Sequence, residues 1–337
     1  MKPIYEIRSG ALAGFNILVP QLGGSPSGIL AKMGLPADCT RRPNVLIPIA
    51  TLTDLLNICS QKFACDDFGL RLADKQGLRM LGVLGKLILE SKNLKIALMA
   101  THRYMVLHNQ ADHWKIQGSD GFWLAERVNH FPCSVAAEQY NELAMGAAYR
   151  LLRDMVGEEI VPRSVSFRHK QVSSQKTYRD FFGVEALFDQ RRDCLIFEGT
   201  LMDHSLVKPG QGLIKYFDEF TRCLLGEHGG NIGRQVQVLI LQTLGAQQHS
   251  LVQISRLLGM PARTLQRRLS EAGTSFKQLL QDARMETACW HLRASSIDIG
   301  LLSASLGYTD ISAFSKAFRV MHGSSPLQWR KRQEARD

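Results

Sequence analysis

No two cysteines of this 337-residue chain form a CxxC pair, and the seven present (Cys39, Cys59, Cys65, Cys133, Cys194, Cys223, Cys289) are odd in number and scattered. That usage argues against a disulfide framework and fits a reducing compartment. Catalytic signatures are also missing: there is no HExxH, GxSxG, GxGxxG or paired-carboxylate motif. The run Gly82-Val-Leu-Gly85-Lys86 is too short for a phosphate loop and has Leu87 where the hydroxyl is required. His102, His108 and His113 with Cys133 match no metal-ligand spacing, so no metal, cofactor or catalytic residue is expected.

Long apolar runs are absent too. The densest stretch, Leu78 to Leu89, is broken by Arg79 and Lys86, and the first residues carry Glu6 and Arg8 where a secretory signal needs its apolar core. The expectation is a cytoplasmic protein with no membrane partner. Acid is the scarcer sign of charge, 31 Asp and Glu against 41 Lys and Arg, which leaves a formal +10. The surplus is uneven: Leu251 to Asp337 holds 13 basic and 7 acidic residues, so the last quarter carries +6 and the preceding 250 residues carry +4. A polyanionic partner is implied for that quarter.

The first two hundred residues mix two periodicities. Leu52, Leu55, Leu56 and Cys59 stand at helical spacing within Ile49 to Cys59, and further helices are predicted over Asn93 to His102 and Ala136 to Met155. Strands are predicted at Tyr104 to Leu107, Phe122 to Val128, Arg163 to His169 and Cys194 to Phe197. This is the pattern of an α+β domain, assigned to residues 1–205. From Pro209 onward the pattern is helical. Leu213, Ile214, Phe217, Phe220, Leu224 and Leu225 form a stripe in a connector, residues 206–230, that serves either its own domain or a dimer contact. A new helix starts near Ile232 and opens the last domain, residues 231–337.

That last domain contains a repeat. Ser250 and Gln253 have capping-box spacing before a short helix that stops at Leu258-Gly259, and a second helix carries Leu265 and Leu269 and ends before Gly273. About 48 residues on, Asp298 opens a helix with Ile299, Leu302 and Leu306; Gly307 repeats Gly259, Phe314 and Phe318 repeat the two leucines, and Gly323 repeats Gly273. Residues 250–273 and 298–323 thus outline two helix-turn-helix units, joined by a helix over 275–295. Its length, about 30 Å, approaches the roughly 34 Å between successive major-groove faces of a duplex.

On a wheel of about 100° per residue, each second helix has one anchoring and one donor face. Arg263, Gln266 and Arg267 share a face opposite Leu265 and Leu269; Ser312, Ser315, Lys316 and Arg319 share one opposite Phe314, Phe318 and Met321. Arg bonds bidentately to guanine, Gln to adenine, Lys to guanine or phosphate, and Ser to phosphate or a base edge. A solvated polar face is the alternative for a single helix; two copies in the basic quarter favour double-stranded DNA, read at tandem major-groove sites.

Leu258-Gly-Met-Pro-Ala-Arg-Thr-Leu-Gln-Arg-Arg-Leu269, Leu306-Gly-Tyr-Thr-Asp-Ile-Ser-Ala-Phe-Ser-Lys-Ala-Phe318 and Gly323-Ser-Ser-Pro326 resemble the DNA-binding domain of AraC/XylS transcriptional regulators. The resemblance covers about 100 residues, 232–333, and implies base reading by Arg263, Gln266, Arg267, Ser312, Ser315 and Lys316, with Arg268 and Arg319 assigned to phosphate. The chain departs from the family pattern in three ways. Pro261 stands where a capping Ser is usual, Ser255 and Ser303 replace a small Ala, and Lys316 replaces an Arg and so loses its fork.

The first domain resembles the arabinose-binding-type sensor of the ornithine-utilisation regulator subgroup, through Phe68-Gly-Leu-Arg-Leu72, Leu81-Gly-Val-Leu-Gly85, Pro162-Arg-Ser-Val-Ser-Phe-Arg-His169, Tyr178, Phe182-Gly183 and Phe188. The resemblance implies a homodimeric regulator of transcription that binds a small amino acid-like or lipid-like effector and activates by contacting RNA polymerase. The pocket residues are not legible in the sequence. A regulator gated by a partner protein, and an enzyme fused to a DNA-binding module, remain the alternatives; a zinc-bound reactive cysteine, as in methyl-accepting relatives, would need clustered cysteines that this chain lacks.

Overall fold

The computed structural model describes residues 5–334 except 43–44, 110–111, 120, 130–136, 209–210, 227–228, 245–249 and 295–296. In chain order the elements are β1 (Glu6–Arg8), α1 (Phe15–Gln21), α2 (Pro26–Lys32), β2 (Leu46–Pro48), α3 (Ile49–Lys62), α4 (Phe68–Asp74), α5 (Val83–Leu89), α6 (Leu94–His108), β3 (Asp112–Ser119), β4 (Phe122–Asn129) and α7 (Glu138–Val156). Then come β5 (Ser164–Ser166), α8 (Gln175–Phe182), β6 (Ala186–Leu187), β7 (Asp193–Glu198), α9 (Gln211–Gly226), α10 (Ile232–Thr243), α11 (Leu251–Leu257), α12 (Ala262–Glu271), α13 (Phe276–Ala294), α14 (Ile299–Ser305), α15 (Ile311–His322) and α16 (Pro326–Glu334). The chain forms two compact units, Tyr5–Leu98 with Ala111–Ile214, and Met99–Gln110 with Lys215–Asp337.

The first unit is α+β. Its larger sheet runs β3-β4-β7-β5-β6, antiparallel except for the β5–β6 pair, and β1 pairs with β2 in a separate antiparallel ribbon. The helices predicted near residues 49 and 136 are present as α3 and α7. The strand predicted at Tyr104 to Leu107 is not formed: those residues continue α6, because an apolar run of four carries no period of its own and fits a helix as readily as a strand. The predicted strand at Arg163 to His169 is only three residues long, and β3 has no counterpart among the predicted strands.

The motifs quoted above for the first unit are packing devices. Gly69 lets α4 approach α7 so closely that a Cβ there would meet the Gln139 carbonyl oxygen at 2.3 Å. Gln139 locks this contact by accepting from the Gly69 N–H at 2.8 Å and donating to the Asp66 carbonyl at 2.6 Å. Phe167, Tyr178 and Phe188 form one aromatic cluster, with Phe167 stacked on Phe188 at 5.5 Å and Tyr178 edge-on to Phe188 at 4.9 Å. Gly183 follows α8 at φ +81°, the left-handed conformation that ends the helix.

Beneath the sheet lies an ionic cluster. The fully buried Arg127 of β4 donates to Asp112 of β3 at 2.9 Å, to Asp193 of β7 at 3.3 Å and to Asn141 of α7 at 2.7 Å. Tyr140 donates to Asp112 at 2.6 Å and lies 5.0 Å under the guanidinium. The two carboxylates raise the Arg127 pKa although burial alone lowers it. Next to Asn141 on α7, Glu142 is fully buried and accepts from Tyr178; burial pushes its carboxyl up to about 8.

Candidate nucleic-acid interface

Among the described residues only helices are formed from α9 onward, and the two turn units of the second unit have matching backbone hydrogen bonds. In the first, Gly259 N–H donates to Arg256 O at 3.0 Å and Met260 N–H to Ser255 O at 3.0 Å; in the second, Gly307 N–H donates to Ala304 O at 3.0 Å and Tyr308 N–H to Ser303 O at 3.1 Å. Both are Schellman endings, and Gly259 and Gly307 hold the left-handed φ of +65° and +79° that such endings require. Ser255 and Ser303 are the buried residues that accept in these endings. The Ser303 hydroxyl also donates to the Asp310 carbonyl at 3.1 Å and so ties α14 to the start of α15.

Capping follows the sequence in part. Ser250 accepts from the Gln253 N–H at 3.2 Å, Ser275 from Gln278 at 3.2 Å and Asp298 from Leu301 at 2.9 Å. α12 starts at Pro261 with no side-chain cap, whereas α15 is capped by Asp310, which accepts from the Ala313 N–H at 2.7 Å. That bond holds the Asp310 carboxyl below its ordinary range. A reciprocal capping box at Ser325 and Gln328, unforeseen in the sequence, starts α16.

The reading helices are pinned by their apolar faces. Leu265, Leu269, Phe314 and Phe318 are at most 1% exposed. Opposite them Arg263, Gln266 and Arg267 on α12 and Ser312, Lys316 and Arg319 on α15 are exposed, Arg268 is exposed on the flank beside Leu269, and Ser315 is half-buried. Met321, grouped with the anchors on the wheel, is 42% exposed in the last turn of α15, with its sulfur 3.8 Å from the Gln281 amide. Ile311, Ser312, Ser315, Lys316, Arg319 and Val320 line a shallow concavity of about 440 Å³.

The linker helix α13 fixes the second unit. Its Ala283, Ala288 and Leu292 are buried, and Phe276, Leu279 and Leu280 are half-buried. Arg284 donates to the Gly307 carbonyl at 3.1 Å with its guanidinium 4.8 Å from the Tyr308 ring, and the Tyr308 hydroxyl donates to Gln281 at 3.2 Å. Burial lowers the Arg284 pKa and raises that of Tyr308. The spacer is thus bonded to the turn that aims α15. Position 284 sits mid-helix with no motif signal, so its role emerges only from the packing.

In the connector, Phe217 is buried and Ile214 is exposed; the side chains of Phe220 and Leu224 lie outside the described residues. The His108 and His113 side chains and Cys133 also lie outside them. Burial pushes the Cys59 and Cys65 thiols up to about 12, which makes them poor nucleophiles. In the first unit a cleft of about 250 Å³ at the end of α7 is lined by both signs of charge, among them Arg79, Arg150, Arg153, Asp154, Glu158 and Lys208. Arg150 bridges Asp154 at 3.6 Å and Glu158 at 3.0 Å. No helix among the described residues is long and apolar enough to cross a membrane.

Residues 23–206 match the family model described as the arabinose-binding domain of AraC transcription regulator, N-terminal, and residues 254–332 match a helix-turn-helix domain model. Over 96% of both chains the sequence is 27% identical to the HTH-type transcriptional regulator VirS of Mycobacterium tuberculosis. It is 26% identical to the ornithine utilization regulator of Pseudomonas aeruginosa over 78% of each chain. Among solved structures, the transcriptional regulator CdpR from Pseudomonas aeruginosa aligns over 93% of this chain and 97% of its own, at 19% identity and a TM-score of 0.41. With more than half its length matched by the sensor-domain model and its C-terminal part by the helix-turn-helix model, this chain belongs to the AraC family of DNA-binding transcriptional regulators.

Proposed function

We propose that the protein activates transcription by binding tandem major-groove sites about one helical turn apart, under the control of a small effector held in the first unit. The observation that carries this reading is the pair of turn units with matching Schellman endings, each holding buried anchors behind an exposed donor face. Arg263, Gln266 and Arg267 read bases from α12; Ser312, Ser315 and Lys316 read them from α15; Arg268 and Arg319 hold phosphates. The protein acts as a cytoplasmic homodimer that contacts RNA polymerase. Selection of preferred duplexes from a random pool, followed by footprinting, tests the reading: two protected major-groove faces on one side of the duplex are expected, and one face or none contradicts it.

For the effector, the cleft at the end of α7 favours an amino acid-like over a lipid-like molecule. Its Arg150 and Arg153, paired in this fold with Asp154 and Glu158, would exchange those partners for a carboxylate and leave the two acids to take an ammonium group, whereas an acyl chain would need an apolar lining. The relative named for ornithine utilization points to the same class. Thermal melting with a panel of amino acids and fatty acids decides it. A saturable rise in Tm with an amino acid, abolished by Arg153→Ala, is expected.

A further inference from the structure

The two reading helices differ in chemistry at their leading ends. α12 starts with the small Ala262 and then presents Arg263, Gln266 and Arg267. α15 instead starts with Ile311, which is 51% exposed although it is a large β-branched side chain. Its terminal Cδ1 methyl is held against α14, where a Cβ on Gly300 would meet it at 3.2 Å. Gly300 therefore leaves room to seat this isoleucine, and the rest of the side chain faces solvent beside Ser312 and Ser315. On the helical wheel Ile311 and Ser315 are neighbours one turn apart.

An exposed isoleucine at the leading end of a helix in the major groove has few apolar partners available. Hydrogen-bonding edges crowd that groove, and the thymine C5-methyl is its apolar group. The N-terminal residues of a recognition helix are those that reach base edges. We propose that Ile311 reads a thymine methyl in the second half-site, making recognition there partly apolar while α12 reads its half-site by hydrogen bonds. This rests on α15 being a reading helix. Val320 is still more exposed, at 79%, but it lies nine residues on, about 13 Å along the helix axis. That is about the width of the groove, so Val320 sits out towards the backbone and serves as an internal control.

The test uses the full-length protein and its selected operator. Each thymine is replaced singly by deoxyuridine, which keeps every hydrogen-bonding group and lacks only the methyl. One buried methyl corresponds to about fourfold in affinity. A loss of that size is expected at one or two positions of the second half-site, retained in Ile311→Val and Val320→Ala and absent in Ile311→Ala. Unchanged melting of Ile311→Ala would confirm that the variant is folded. A deoxyuridine scan that is flat across the second half-site overturns the proposal, as does a methyl dependence that persists in Ile311→Ala. If selection enriches no sequence at all, or if α15 leaves no protected face, the underlying reading of DNA recognition fails with it, and that failure is visible before any thymine is replaced.

Discussion

Arg267 lies 3.5 Å from Glu271, one turn later on α12, with both side chains largely exposed. An arginine that is to fork onto guanine must first leave this carboxylate. Exposed pairs of this kind contribute about 0.2–1 kcal/mol. Glu271→Gln is therefore expected to strengthen DNA binding up to about fivefold at low salt, with the gain shrinking as salt rises. A titration series of the variant against the parent checks this; weaker binding would show that Glu271 helps to aim Arg267.

Arg267→Ala has the opposite expectation. Loss of a bidentate guanine contact costs about 1–3 kcal/mol in specific binding and relaxes the preference at one base pair. Affinities for operators mutated one position at a time decide it, and a preference profile identical to the parent's would remove Arg267 from the reading face.

Arg268→Ala and Arg319→Ala should behave differently from Arg267→Ala. A phosphate contact carries no sequence information, so each loss weakens all duplexes alike and reduces the slope of log affinity against log salt by about 0.9. Unaltered slopes in both variants would sink this assignment.

In the first unit, Arg127 is a buried cation shared by two buried carboxylates. Arg127→Met would leave Asp112 and Asp193 buried without their shared cation. Breaking a buried ion pair in this way costs about 3–5 kcal/mol. Denaturant unfolding of the isolated sensor unit or the full chain should show a loss of that order, whereas Lys115→Met on the exposed face of β3 should change little.

Glu142 gives a pH dependence with a definite sign. Its folded pKa, about 8, lies above its ordinary value of 4.5, so the folded state favours the protonated form. The stability this contributes is fully present below about pH 4.5 and is lost as pH rises through about 8. Glu142→Gln, which keeps the acceptor for Tyr178, should flatten the stability profile between these limits and melt higher than the parent at pH 8. A parent profile that rises with pH across this window would contradict the burial account.

Where sequence reading succeeded, the information was local. The short helices α11 and α14 are each specified by a cap, a few apolar positions and a glycine stop within ten residues, and the exposed and buried faces of α12 and α15 follow from the helical repeat, Met321 excepted. Tyr104 to Leu107 failed because four apolar residues carry no period, and their neighbours in α6 decided the outcome. β3 escaped notice because Trp114 and Ile116 alternate with the exposed Lys115 and Gln117 over too few residues to stand out.

The sequence by itself determined that this chain carries two copies of a turn unit in its basic quarter, because periodicity, capping and left-handed glycines act over one or two helical turns. Tertiary structure alone decided which distant residues meet. Asp112, Arg127 and Asp193 come together only when three strands pair, Gln139 reaches Gly69 across 70 positions, and Arg284 of the spacer bonds the carbonyl of Gly307. The exposure of Ile311 is of the same kind: no local pattern states whether an apolar side chain at a helix start is covered, and only its packing beside Gly300 of α14 leaves it 51% exposed.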